Sequence, residues 1–86
     1  MIHTSHPKII ARLKRAQGHL ASVLKMLDEG RSCPEIAQQL HAVEKAIGNA
    51  NRELIHDHIH HCLDDSGEAD AGHEAIKELK LISKFL

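Results

Sequence analysis

Eighty-six residues with a formal net charge of −1, one Phe and neither Trp nor Tyr describe one small domain whose core has to be aliphatic. That length excludes a multidomain enzyme, and chains this short often depend on oligomerisation or a bound metal for firm stability. Charges interrupt the apolar residues, no run approaches the ~20 residues of a membrane span, and nothing resembles a leader peptide, so the sequence predicts a cytoplasmic protein with no membrane partner; its two cysteines are then expected free or metal-bound rather than disulfide-bonded.

The small net charge conceals an asymmetry. Residues 1–27 carry Lys8, Arg12, Lys14, Arg15 and Lys25 and no acid, whereas residues 56–74 carry Asp57, Asp64, Asp65, Glu68, Asp70 and Glu74 and no Lys or Arg. A basic half suits a polyanion and an acidic, His-rich half suits cations, although solvated helix faces would give the same pattern.

In chain order, residues 1–6 form a polar arm, and Pro7 fits the first turn of a helix capped by Ser5 or His6. Ile9, Leu13, Ala16, Leu20, Val23, Leu24 and Leu27 recur at three and four, which predicts a helix over about residues 7–28 ended by Gly30. Gly18, inside it, costs ~1 kcal/mol against Ala, and a close helix crossing would explain its presence. Ser32-Cys33-Pro34-Glu35 is a capping box with Pro in the first turn. Ile36, Leu40, Val43, Ile47, Ala50, Leu54, Ile55, Ile59 and Leu63 carry the helical period over about residues 33–63. Asp64-Asp65-Ser66-Gly67 and Gly72 mark a loop, and Ala75, Ile76, Leu79, Ile82, Phe85 and Leu86 predict a third helix over about residues 73–85. No strand pattern or repeat is present, so the fold class is all-α: one domain, residues 1–86, with a three-helix protomer.

The chemistry concentrates at Ile55-His56-Asp57-His58-Ile59-His60-His61-Cys62. On a helix His58 and Cys62 share a face one turn apart, with Cβ atoms ~5–6 Å from each other, a spacing one transition-metal ion can bridge. The other cysteine, Cys33, opens the same helix, where the helix dipole favours thiolate. From Cys33 to His58 a straight helix runs ~37 Å at ~1.5 Å per residue, so one chain cannot close both around one ion. Two antiparallel copies can, giving two sites per dimer, each with Cys33 of one chain and His58 and Cys62 of the other. Two helical hairpins would also complete the four-helix bundle that one hairpin cannot. A buried, purely structural Cys33 is the competing description.

Arg12-Leu13-Lys14-Arg15-Ala16-Gln17-Gly18-His19, followed by Cys33 and then His58 and Cys62, resembles the CsoR/RcnR family of bacterial metal-sensing transcriptional repressors. The resemblance covers nearly the whole chain, and its specific part is the Cys-x24-His-x3-Cys spacing. It implies a homodimer with shared sites, a homotetramer of two dimers, and a repressor that leaves operator DNA when metal binds. By position it implies Cys33, His58 and Cys62 as ligands, and Arg12 with its basic neighbours Lys8, Lys14 and Arg15 as the DNA-contacting surface, through phosphates. Copper-sensing members back the ligand histidine with a tyrosine and a glutamate; Glu78 matches the glutamate, but the chain has no tyrosine and Ser32 precedes Cys33. Formaldehyde-sensing members lack the last cysteine, which is present here as Cys62. Nickel- and cobalt-responsive members recruit ligands from the N-terminal arm, where this chain offers His3 and His6 and resembles the nickel-resistance (NreA-like) regulators.

Cys33, His58 and Cys62 alone would suit Cu(I) or Zn(II); a further imidazole, or the amine and amide of Met1-Ile2-His3, gives the four-coordinate nitrogen and sulfur set that suits Ni(II) or Co(II). A terminus without fixed structure is the alternative for His3 and His6. His56, His60 and His61 point off the His58 face, and His19, His41 and His73 receive no role. No helix-turn-helix or base-stacking aromatic is present. The competing functions are a metal buffer without DNA binding and, with Asp57 or Glu53 as general base, a zinc hydrolase; no nucleophile motif or small-molecule pocket signal supports an enzyme.

Overall fold

The computed structural model describes residues 6–64 and 69–86, and within it the side chains of residues 61–73 and of Ala75 lie outside the description. Three α-helices follow one another: α1 (His6–Asp28), α2 (Cys33–Asp64) and α3 (Ala69–Ile82), the last continuing as a 3-10 turn over Ser83–Phe85. There is no strand among the described residues, in keeping with the all-α expectation. No helix among them is long and apolar enough to cross a membrane.

The turn between α1 and α2 is built by three local devices. Gly30 takes φ +69°, the left-handed conformation that glycine adopts without a Cβ clash. Its N–H donates to Leu27 O at 3.1 Å and that of Arg31 to Met26 O at 3.0 Å, the paired bonds of a Schellman ending. Ser32 then caps α2, its Oγ accepting from the Glu35 N–H at 3.4 Å. Only half of the predicted capping box forms: the Glu35 carboxylate lies 2.8 Å from Arg31 Nη2, because a charged guanidinium attracts it more strongly than a neutral N–H does.

α1 and α2 pack antiparallel along a seam that repeats every seven residues on both helices. Ile9, Ala16 and Val23 are buried on α1, and Ile36, Val43 and Ala50, joined by Ile55, on α2. Val23, Ile36 and Val43 form one cluster, with Met26 packed against it. The layers between are polar: His19 Nε2 lies 2.7 Å from Gln39 Oε1, and Arg12 Nη1 lies 2.9 Å from Glu53 Oε2. A second heptad row on each helix stays open, comprising Leu13, Leu20 and Leu27 on α1 and Leu40, Ile47 and Leu54 on α2. The protomer is a slab of 58 × 23 × 13 Å, with one buried seam and one large bare apolar face.

Two expectations change. Gly18 has no atom within 4 Å of where a Cβ would stand, so no close crossing within the protomer accounts for it. Gly72 lies inside α3, which starts at Ala69 rather than near 73 and gives way to the 3-10 turn at Ser83; the helical period of Ile76, Leu79 and Ile82 extends back through it. The predicted loop residues Asp65-Ser66-Gly67 fall outside the described residues.

Candidate functional site

α3 returns along the far end of α2 and fastens there at two polar points. Asn51 Nδ2 donates to the Phe85 carbonyl oxygen at 2.9 Å, and His58 Nε2 lies 2.6 Å from Glu78 Oε2. Residues 51 and 58 are one heptad apart, and so are 78 and 85, so both contacts belong to one antiparallel register. A carboxylate at this distance accepts, so Nε2 carries a proton, and Nδ1 is the ring nitrogen turned away from this contact. An imidazole held through one nitrogen by a carboxylate is the arrangement that orients a metal-binding histidine.

His58 is a sheltered side chain, 19% exposed, against 52% for Glu78. It lines a largely apolar cavity of about 330 Å³ with Leu54 and Ile55 of α2, Ile82 and Phe85 at the C-terminal end, and His6. His6 is therefore not part of a detached arm; it is the first residue of α1 and shares a cavity with His58. His3 lies outside the described residues, as do the side chains of His61, Cys62 and His73. His41, His56 and His60 are exposed on the outer face of α2.

Cys33 is a free, exposed thiol in the first turn of α2. The whole of α2 from there to His58 is continuous helix, which at ~1.5 Å per residue separates the two by ~37 Å. Among the described residues no three histidine, cysteine or acidic side chains converge as a metal group would require. The donor chemistry nevertheless fits a transition metal: an exposed cysteine at a helix start, and a carboxylate-backed imidazole sharing its cavity with a second histidine. What one protomer lacks is proximity between its two ends.

The basic residues sort by face. Lys8 Nζ and Arg12 Nη1 both reach Glu53, at 3.6 Å and 2.9 Å. Arg12 and Arg15 border a shallow groove of about 260 Å³ across the hairpin, with His19 of α1 and Asn49 of α2. Asn49 is itself bonded to the Arg52 guanidinium. Lys14 is exposed and belongs to neither cluster; helical geometry sets it about 200° round from Arg12. Sequence reasoning assigned nothing to His19, Asn49 or Asn51, and placed Glu53 only as a general base. Their signal is weak: a polar residue at a seam position, recognisable only once the α1/α2 register is known.

Comparison with known proteins identifies the family. Residues 5–84 match the family described as metal-sensitive transcriptional repressor. The copper-sensing transcriptional repressor CsoR of Bacillus subtilis (strain 168) is 38% identical over 72 residues, covering 84% of this chain and 71% of that protein. The transcriptional repressor RcnR of Salmonella paratyphi B is 32% identical over 89 residues, covering 100% and 99%. Matches to mycobacterial copper-sensing repressors take in less of those proteins, 63% for that of Mycobacterium ulcerans. Among solved structures, the nickel-responsive transcriptional regulator InrS superposes with a TM-score of 0.85 at 31% identity, over 100% of this chain and 98% of that one. The chain belongs to the metal-sensitive transcriptional repressors of the CsoR/RcnR family.

Proposed function

We propose that this chain is a Ni(II)- or Co(II)-responsive repressor that holds operator DNA without metal, releases it on metal binding and so derepresses metal efflux or resistance genes. The observation that carries this reading is His58, fixed by Glu78 and sharing its cavity with His6, while Cys33 stands at the opposite end of the same helix. An antiparallel partner would bring its own Cys33 to that end, so that His58 and Cys62 of one protomer, Cys33 of the other, and His6 with His3 complete the donor set. Bound there, the metal ion would supply a cross-link between the start of one α2 and the end of the other. Glu78 keeps the His58 proton on Nε2 and the ring in place. Leu54, Ile55, Ile82 and Phe85 limit water around it. Lys8, Arg12 and Arg15, with Lys14 from the far side of α1, contact DNA phosphates. Coupling between the two sites requires only that the metal-bound arrangement hold DNA less well.

Cu(I) is the second reading, favoured by the identity to copper-sensing relatives and needing only Cys33, His58 and Cys62. It lacks the supporting tyrosine and leaves His6 without a role. Titration of the metal-free protein with Ni(II), Co(II) and Cu(I) separates the two. Thiolate-to-metal charge-transfer bands with d–d features, together with loss of affinity for a duplex selected from genomic fragments, are expected with Ni(II) or Co(II). Loss of DNA affinity with Cu(I) alone would overturn the nickel and cobalt reading.

A further inference from the structure

Two cations of α1, one helical turn apart, converge on a single carboxylate of α2. Lys8 Nζ lies 3.6 Å from Glu53 Oε1 and Arg12 Nη1 lies 2.9 Å from Glu53 Oε2. Glu53 is the sheltered member, its side chain 24% exposed against 38% for Arg12 and 65% for Lys8. Its charge is therefore screened less than that of a surface acid. The fork of a guanidinium recognises carboxylate and phosphate with the same donors. A phosphate at Arg12 would meet the Glu53 charge across that fork, so the two anions compete for the same guanidinium.

We propose that Glu53 is an internal competitor for DNA phosphate, an autoinhibitory carboxylate that occupies Arg12 and Lys8 whenever DNA does not. This rests on the reading of α1 as the phosphate-contacting surface. Glu53 is well placed to be regulated: it lies on α2 five residues before His58, and Leu54 and Ile55, immediately after it, line the His58 cavity. A shift of α2 at its histidine end moves this carboxylate relative to α1. Strengthening the Glu53 pair lowers DNA affinity, and loosening it raises affinity, without any change in the DNA-contacting residues. A purely structural pair pinning α1 to α2 would behave differently, because its removal would loosen the hairpin and leave DNA affinity equal or lower.

The test uses the full chain, free of metal, and a short fluorescein-labelled duplex read by anisotropy across a salt series, with circular dichroism on every variant. Glu53→Gln is expected to bind about tenfold tighter at low salt and to steepen the slope of log affinity against log salt by about one, as one more phosphate contact would. Glu53→Met, apolar and of similar length, gives the same gain and supplies the test should the Gln variant unfold. In the Arg12→Ala background the Glu53→Gln gain shrinks. A folded Glu53→Gln or Glu53→Met protein that binds no tighter overturns the competitor proposal and leaves the DNA surface standing. Arg12→Ala with undiminished DNA affinity would instead overturn the surface assignment, and the proposal with it.

Discussion

His58 and its surroundings carry the proposed metal chemistry. Its Nε2 is committed to Glu78 at 2.6 Å, and carboxylates in that position commonly account for 10–100-fold in metal affinity. Glu78→Ala is accordingly expected to weaken Ni(II) binding by about that factor in competition with a chromophoric chelator, while the protein stays helical. An unchanged affinity would show the contact to be irrelevant to metal. His6, in the same cavity, is the residue proposed to discriminate between metals. His6→Ala is expected to weaken Ni(II) and Co(II) while sparing Cu(I), which a trigonal set of two thiolates and one imidazole satisfies. Equal losses for all three metals would deny His6 that role.

The helices were legible in the sequence because apolar spacing and caps are local signals. Ile9, Ala16 and Val23 carry the period, Gly30 ends α1, and Ser32 begins α2, each for a reason contained within a few residues. Ser32→Ala removes the Oγ acceptor at the start of the Cys33 helix and is expected to cost ~1 kcal/mol in urea denaturation. A cost near zero would mean that the Arg31–Glu35 pair alone secures that turn. Which apolar row faces inward was not legible. Leu13, Leu20 and Leu27 repeat every seven residues just as Ile9, Ala16 and Val23 do, and only the pairing with α2 separates seam from open face. The partners His19–Gln39, Lys8–Glu53 and Asn51–Phe85 were hidden for the same reason, since they join residues far apart in sequence. The two ends of the candidate site were legible because a cysteine at a helix start and a histidine 25 positions later need only the helical rise to be placed.

At the scale of the whole molecule, the bare row of Leu13, Leu20, Leu27, Leu40, Ile47 and Leu54 and the length of α2 are what the proposed antiparallel second copy would cover and span. Fully burying an exposed Leu or Ile is worth about 1.5–3 kcal/mol; these six are 39–56% exposed, so roughly half of that is left for association to gain at each. The shared site can be tested by complementation. Cys33→Ala and His58→Ala homodimers should each lose tight metal binding. Mixed at equal amounts and reassembled from denaturant, they should regain one intact site in each heterodimer, measured as metal bound per chain. Recovery of none would mean that Cys33 and His58 do not come from different chains.

The short connection at residues 29–32, closed by Gly30 and Ser32, has a kinetic consequence. Joining two helices through so few residues costs little loop-closure entropy, so the hairpin is expected to form before contacts between chains. Association of hairpins in the proposed assembly is then expected as a second-order step, its rate rising with protein concentration. Gly30→Ala, which forces a Cβ into the left-handed region, then acts on the early event. In stopped-flow refolding it should slow the concentration-independent phase and leave the unfolding rate nearly unaltered. A variant that instead unfolds faster and refolds normally would place the turn late, after the chains have met.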